Sequence, residues 1–240
     1  MEKQFRVKLI IRRASALAAL DWLKQSWQIF VQAPLKWLAM FASIMMLALL
    51  GSLHPILMVV VIFLLPFLTA GLYKAIVAAQ QQKPFDLTTL FSPLSEPGCR
   101  QVFIRIAALN MLANIPLSLL NAALVQQVEQ KLVDLPTMLL FVAASVLVFM
   151  IFAYAVAIAY FLHERRVLVI MQASLTACWR NIIPLLVFAL LSMGLIMLTM
   201  PTMFIGLLVV IPLLNIAFFL SFNAFFALQI NPQDEAVLEV

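Results

Sequence analysis

The chain has 240 residues, 65% of them hydrophobic and 10% charged, with 15 Lys and Arg against 10 Asp and Glu for a net charge of +5. A soluble globular domain carries roughly 25% charged residues, so this chain lacks the polar surface to cover a water-facing globule. Composition excludes a soluble fold and points to one membrane-embedded domain over residues 1–240.

The first twenty residues, MEKQFRVKLIIRRASALAAL, are basic and then briefly apolar. The apolar run after Arg13 ends at Asp21, too short for a signal-peptide core, and Arg12 and Arg13 lack the rest of a twin-arginine signal. A retained cytoplasmic arm is expected. Residues 15–32 then read as an amphipathic helix, with Leu20, Leu23, Trp27, Phe30 and Val31 on one face and Asp21, Lys24, Gln25 and Gln28 elsewhere. Pro34 ends it.

From there six stretches free of Asp, Glu, Lys and Arg succeed one another: 37–53, 56–73, 106–125, 135–162, 182–200 and 203–228. A hydrocarbon core ~30 Å thick takes about 20 apolar helical residues, with roughly 17 to 25 tolerated. The expected fold class is all-α, a polytopic bundle of six transmembrane helices. The segment DLTTLFSPLSEPGCRQVF before the third stretch is a weaker amphipathic helix, with Leu87, Leu90, Phe91 and Leu94 spaced for a short apolar face and Pro93 and Pro97 breaking it. Before the fifth stretch the amphipathic pattern returns over 165–181. Arg165, Val169, Gln172, Thr176 and Arg180 lie on one side, and Val167, Ile170, Met171, Ser174, Leu175 and Cys178 on the other.

Fourteen of the 15 basic residues fall on one side of this arrangement, and only Lys131 on the other. The positive-inside rule places both termini and the two long connections in the cytoplasm. The opposite loops, about 51–55, 126–134 and 198–202, are too short to present a receptor surface.

An interfacial helix followed by a hairpin thus occurs three times, in units of about 15–76, 87–163 and 165–228. The first and third correspond best. Pro34 and Pro184 lead into their hairpins, Pro66 and Pro212 lie in the returning spans, and Thr69 and Asn215 each follow three residues later. Parallel internal repeats are one habit of membrane folds and chance in apolar sequence is the other explanation; both stay open.

No HExxH, GxSxG or P-loop motif occurs, and no pair of carboxylates lies within the apolar stretches. His54 and His163 stand alone, and Cys99 and Cys178 read as reduced thiols in connecting segments. No catalytic residue, metal site or cofactor is expected, and the protein is expected not to be an enzyme. The apolar stretches do carry neutral polar residues. Asn110, Asn114 and Asn121 form one stripe, and with Thr69 and Asn215 they are the candidate polar groove, loosened by Pro66, Pro116 and Pro212. The competing reading is plain hydrogen bonding between helices, worth about 0.6 kcal/mol per bond.

Trp22, Trp27, Trp37 and Trp179 are expected near the cytoplasmic interface, where amphipathic rings are favoured. Trp27, Pro34, Trp37, Pro66 and Pro212 are the expected interfacial and structural positions. Phe218, Phe219, Phe222, Phe225 and Phe226 crowd the last span as packing or lipid-facing residues. No folded basic domain is legible, so nucleic acid is not an expected partner.

The stretch WLKQSWQIFVQAPLKWLAMF, then LLPFLTAGLYKA and a DLTTLF turn, resembles a family of uncharacterised proteobacterial inner-membrane proteins. Trp27, Phe30, Pro34, Trp37, Pro66, Gly71, Leu90 and Phe91 carry the likeness, closely in the first half of the chain and loosely in the second. More distantly it is similar to the membrane domain of bacterial glycerophosphodiester phosphodiesterases. The resemblance implies a six-span fold in the bacterial inner membrane and transfers no catalytic residue. The expected role is a non-enzymatic accessory or scaffold that binds membrane lipids or another membrane protein. The alternative is a facilitator or transporter of an uncharged or amphipathic small molecule.

Overall fold

A computed structural model of the chain describes residues 8–130 and 134–229. Lys3, Arg6 and Lys131, three of the basic residues used above, lie outside the described residues. The elements in order are β1 (Lys8–Ile11), α1 (Ala18–Gln32), α2 (Pro34–Ser52), α3 (Pro55–Gln80), α4 (Leu87–Phe91) and α5 (Pro97–Glu129). Then come α6 (Leu135–Phe152), α7 (Ala155–Phe161), α8 (Val167–Arg180), α9 (Ile182–Met197), α10 (Leu207–Phe225) and β2 (Phe226–Gln229).

Prolines open helices here as often as they interrupt them. Pro34, Pro55, Pro97 and Pro136 occupy the first or second position of α2, α3, α5 and α6, where a fixed φ helps and a missing N–H is not needed. Side chains complete several starts. His54 Nδ1 accepts the Ile56 N–H, and Asp134 accepts the Thr137 N–H. Asp86 and Thr89 form a reciprocal capping box on α4.

The Thr88 hydroxyl, 2.6 Å from Asp86 Oδ1, with the Thr88 and Thr89 amides, holds that carboxyl below the ordinary carboxylate range. A depressed native pKa stabilises at pH above the unfolded value, so this cap should be intact at neutral pH and lost only as the pH falls below that range. Amide exchange at Thr88 and Thr89 is expected to accelerate there, and Asp86→Asn should remove that pH dependence. An unchanged profile in the variant would count against the cap.

Five helices or continuous helix pairs are long and apolar enough to cross a membrane: α2, α3, α5, α6 with α7, and α10. A sixth forms if α8 and α9 count together, but these meet at 79°. Burial is concentrated at one end, here called the base, where α1, α4 and α8 lie. In α3 almost all buried positions fall between Pro66 and Ala79, and in α5 they are confined to Val102, Phe103, Ile106 and Ala107. The opposite halves expose large apolar side chains such as Ile56, Leu119, Leu139 and Leu190. Such exposure would be costly in water but not in hydrocarbon.

Each short helix of the base packs on a long helix: α4 lies on α3, α8 on α6 and α7, and α1 on α10. Helices α3, α6 with α7, and α10 converge in an aromatic core. Tyr73 stacks on Phe219 at 4.5 Å, Tyr154 on Phe218 at 5.0 Å, and Phe161 meets Phe219 at 5.5 Å. Phe219, Phe222, Phe225 and Phe226 are all buried, so the phenylalanine cluster is packing, with Phe218 half-buried at its edge.

A break between α6 and α7 has a specific cause. The Ser174 hydroxyl of α8 donates to Met150 O at 2.8 Å and accepts the Tyr154 N–H at 3.1 Å, inserting itself into what would be one helical hydrogen bond. The α3–α4 seam depends instead on Gly71. A Cβ there would lie 2.6 Å from the Leu90 carbonyl carbon and closer still to its oxygen.

Three features add to or correct the sequence reading. The face of α1 that packs on the bundle is Ala19, Trp22, Ser26, Ile29 and Phe30, whereas Leu20, Trp27 and Val31 of the apolar stripe are exposed. Small Ala19 and Ser26 let α1 approach α10 closely, so that face wins the contact over the more apolar one. Second, Trp22 and Trp37 are core residues. Trp37 is fully buried, donates Nε1–H to Ile29 O at 3.2 Å and packs on Phe85, while Trp27 and Trp179 remain exposed. Third, the described chain is not purely helical. β1 pairs antiparallel with β2, Lys8 opposite Gln229, tying the amino-terminal arm to the end of α10.

Candidate binding grooves of the bundle

The Asn stripe survives folding as one wall of a groove. Asn110, Asn114, Ser118 and Asn121 of α5 face Ser145 and Phe149 of α6 across a cavity of about 720 Å³. On the other side of the same stripe, Asn110 and Asn114 border a second cavity of about 480 Å³ with Pro66 and Thr69 of α3. The two amides are therefore shared between both grooves. Asn215 borders neither cavity, and is exposed on α10.

The hydrogen bonds that these residues make among the described residues stay within their own helices. Thr69 Oγ1 donates to Leu65 O at 2.9 Å and Asn215 Nδ2 to Ile211 O at 2.9 Å, each within its own helix. Asn114 Nδ2 donates to Asn110 O at 2.7 Å and Asn110 Oδ1 at 3.0 Å. Among the described residues none of the five candidates bonds to another helix. Asn110 Nδ2 and the whole Asn121 amide make no protein hydrogen bond there, leaving polar capacity directed at whatever fills the grooves.

Hydrogen bonds between segments are made by other residues. Tyr154 and Ser221 hydroxyls lie 2.6 Å apart, joining α6–α7 to α10. Lys74 pairs with Glu96 at 2.9 Å and also donates to Ser92, while the Tyr160 hydroxyl donates to the same Glu96 oxygen. Asn181, at the α8–α9 elbow, donates to Arg12 O and Ala177 O and accepts the Ala14 N–H. In the sequence these residues carry no distinguishing signal, because each depends on a partner far along the chain. Glu96 next to Pro97 at a helix start is the nearest to a legible one.

Among the described residues no three His, Cys, Asp or Glu side chains converge to hold a metal, and both cysteines are free. Long apolar helices with laterally open grooves define a multi-pass helical membrane protein. Comparisons with protein-family models, curated proteins and solved structures returned no match to the chain.

Proposed function

We propose that the protein is a non-enzymatic bacterial inner-membrane protein that binds membrane lipid in its lateral grooves, as an accessory or scaffold for the membrane or for another membrane protein. The observation that carries this reading is the unused hydrogen-bonding capacity of Asn110 Nδ2 and Asn121 in a mostly apolar groove. In hydrocarbon an unmet polar group costs several kcal/mol, so the groove favours a neutral polar headgroup or linkage region beside acyl chains. Amides and hydroxyls bind such groups without exchanging protons.

The base is read as the cytoplasmic side. Supporting this, the described basic residues of the arm, of α1, of the 80–105 connection and of α8 all gather there, while the hairpin ends show none among the described residues. On this reading α8, at 79° to α9, lies near the membrane plane. α1 presents Leu20, Trp27 and Val31 sideways to the interface, a placement suited to an amphipathic in-plane helix.

The same reading treats the hairpin units as duplicates. Buried Trp22, Ser26, Ile29 and Phe30 recur 148 positions later as Ile170, Ser174, Ala177 and Cys178. Buried Pro66, Phe67, Ala70, Tyr73, Ile76 and Ala79 recur 146 positions later as Pro212, Leu213, Ile216, Phe219, Phe222 and Phe225. Matching burial over two helices, with Thr69 and Asn215 making the same backbone bond, supports repetition over coincidence.

Gentle extraction followed by native mass spectrometry tests the function. Wild-type chain should carry lipid or a partner above background, and Asn110→Ala with Asn114→Ala should lower lipid retention about fivefold or more, as expected for roughly 1 kcal/mol lost. A bare wild-type chain would defeat the proposal. A facilitator of neutral solutes is the second reading, favoured by the two amides bordering both grooves. It requires solute flux in proteoliposomes that the same double variant abolishes.

A further inference from the structure

We propose that the base carries a site for the phosphate of an anionic phospholipid, where α5 passes the turn between α7 and α8. This deepens the lipid-binding reading and rests on it, but uses a different part of the molecule. Two adjoining cavities of about 480 and 680 Å³ share Arg105 and Arg165. The smaller is polar and reaches Gly98 and Gln101 near the start of α5. The larger is apolar and runs past Ala108 and Leu109 of α5 and Leu168 of α8. A polar cleft and an open, mostly apolar one that Arg166 also borders therefore meet at the Arg105 and Arg165 guanidinium groups.

Those two arginines differ from their neighbours. Arg166 is held by Glu164 at 3.1 Å, and Arg100 donates to Leu94 O at 3.2 Å. Lys74 is paired with Glu96. Arg105 and Arg165 have no side-chain hydrogen bond or ion pair among the described residues. Position makes this consequential. Arg105 is the last charged residue of α5 before a run that stays uncharged as far as Glu129, so its guanidinium stands where the apolar part of the helix begins.

A phosphodiester oxygen pair suits guanidinium donors, which hold such groups bidentately. Basic pockets between helices at the cytoplasmic surface are where anionic headgroups are held. The first turns of α5 and α8 border the same two cavities, with the Gly98 amide of α5 facing a headgroup, while at the start of α8 Glu164 already accepts the Arg165 and Arg166 amides. A soluble phosphate would fill only the smaller chamber. An anionic phospholipid fills both, and it is the occupant the paired cavities favour.

The test uses the full chain in nanodiscs of phosphatidylcholine doped with phosphatidylglycerol, released and weighed by native mass spectrometry. Wild type should retain phosphatidylglycerol in preference to phosphatidylcholine. The Arg105→Gln, Arg165→Gln double variant should lose affinity by roughly fivefold per arginine, about 25-fold in all. Lys83→Gln, basic but outside both cavities, should change it less than twofold. If the double variant does not fold, each single variant should still show its roughly fivefold loss. Equal retention of phosphatidylglycerol by wild type and arginine variants would overturn the site. So would equal retention of both lipids by wild type, or complete displacement of phosphatidylglycerol by inorganic phosphate. Lipid loss from the Asn110→Ala, Asn114→Ala form alone would overturn this site and leave the lipid-binding reading intact, whereas a chain bare of lipid in every form would overturn both.

Discussion

Replacing Gly71 with alanine should destabilise the bundle by about 2 kcal/mol, although alanine is the better helix former. The two effects have opposite signs and unequal size. Helix propensity favours alanine over glycine by about 1 kcal/mol. Against it, the new methyl would occupy space held by the Leu90 carbonyl, a backbone group that cannot swing away like a side-chain tip. Overpacking of this kind costs about 3 kcal/mol, and relief requires α4 to lift from α3. Lifting α4 would also disturb Lys36 Nζ, which donates to Phe85 O, and the Phe85 ring against Trp37. Gly194, in the last turn of α9 with nothing near a built Cβ, is the control. Gly194→Ala should be neutral or slightly stabilising. Thermal unfolding of both variants in one detergent decides the matter, and equal midpoints would refute the close approach of α4.

Asn181→Ala should release the amino-terminal arm from the bundle. Its side chain is almost fully buried and serves three backbone groups: Nδ2 donates to Arg12 O at 3.0 Å and to Ala177 O at 3.0 Å, and Oδ1 accepts the Ala14 N–H at 2.8 Å. Truncation strips the arm of two partners, at about 1–3 kcal/mol for groups left unsatisfied. The Arg12 N–H bond to Phe225 O and the β1–β2 pairing remain, so the arm should open locally while the bundle stays folded. Arg12 and Arg13 make the readout direct. Trypsin cleavage after them should accelerate at least tenfold, the factor that about 1.4 kcal/mol of local opening implies. Cleavage at the wild-type rate would show that the strand pairing alone holds the arm.

Much of this architecture is visible in the chain before folding. Helices α2, α3, α5, α6 with α7, and α10 cover five of the six charge-free runs, because uncharged stretches of this length have one stable backbone solution in hydrocarbon. The Asn110, Asn114 and Asn121 stripe is legible for the same reason, since helical periodicity alone puts these residues on one face of α5. The packing of α1 is instructive. Leu20, Trp27 and Val31 form the more apolar stripe, yet the face with Ala19 and Ser26 turns inward. Hydrophobicity ranks faces against water, but in a membrane both faces find an apolar surrounding, and closeness of fit decides. Trp37 follows the same logic, taking a buried backbone partner where an interfacial ring was expected.

The residues that join the segments were not legible. Ser174 opening the α6–α7 ladder, Tyr154 meeting Ser221, and Asn181 clasping the arm look in sequence like any serine, tyrosine or asparagine. Each acquires its role from a group 20, 67 or 167 positions away.

The sequence by itself determined the solvent, the helical backbone and the sidedness of charge. These follow from local composition, because each helix meets its own backbone hydrogen bonds and each charge bears its own cost of leaving water. Only the tertiary structure decided that α4 sits on α3, α8 on α6 and α7, and α1 on α10. It also decided that Asn110 Nδ2 and the Asn121 amide stay without a protein partner among the described residues, and that Arg105 and Arg165 share a cavity. Those outcomes depend on shape fit between segments remote in the chain, which no local pattern records.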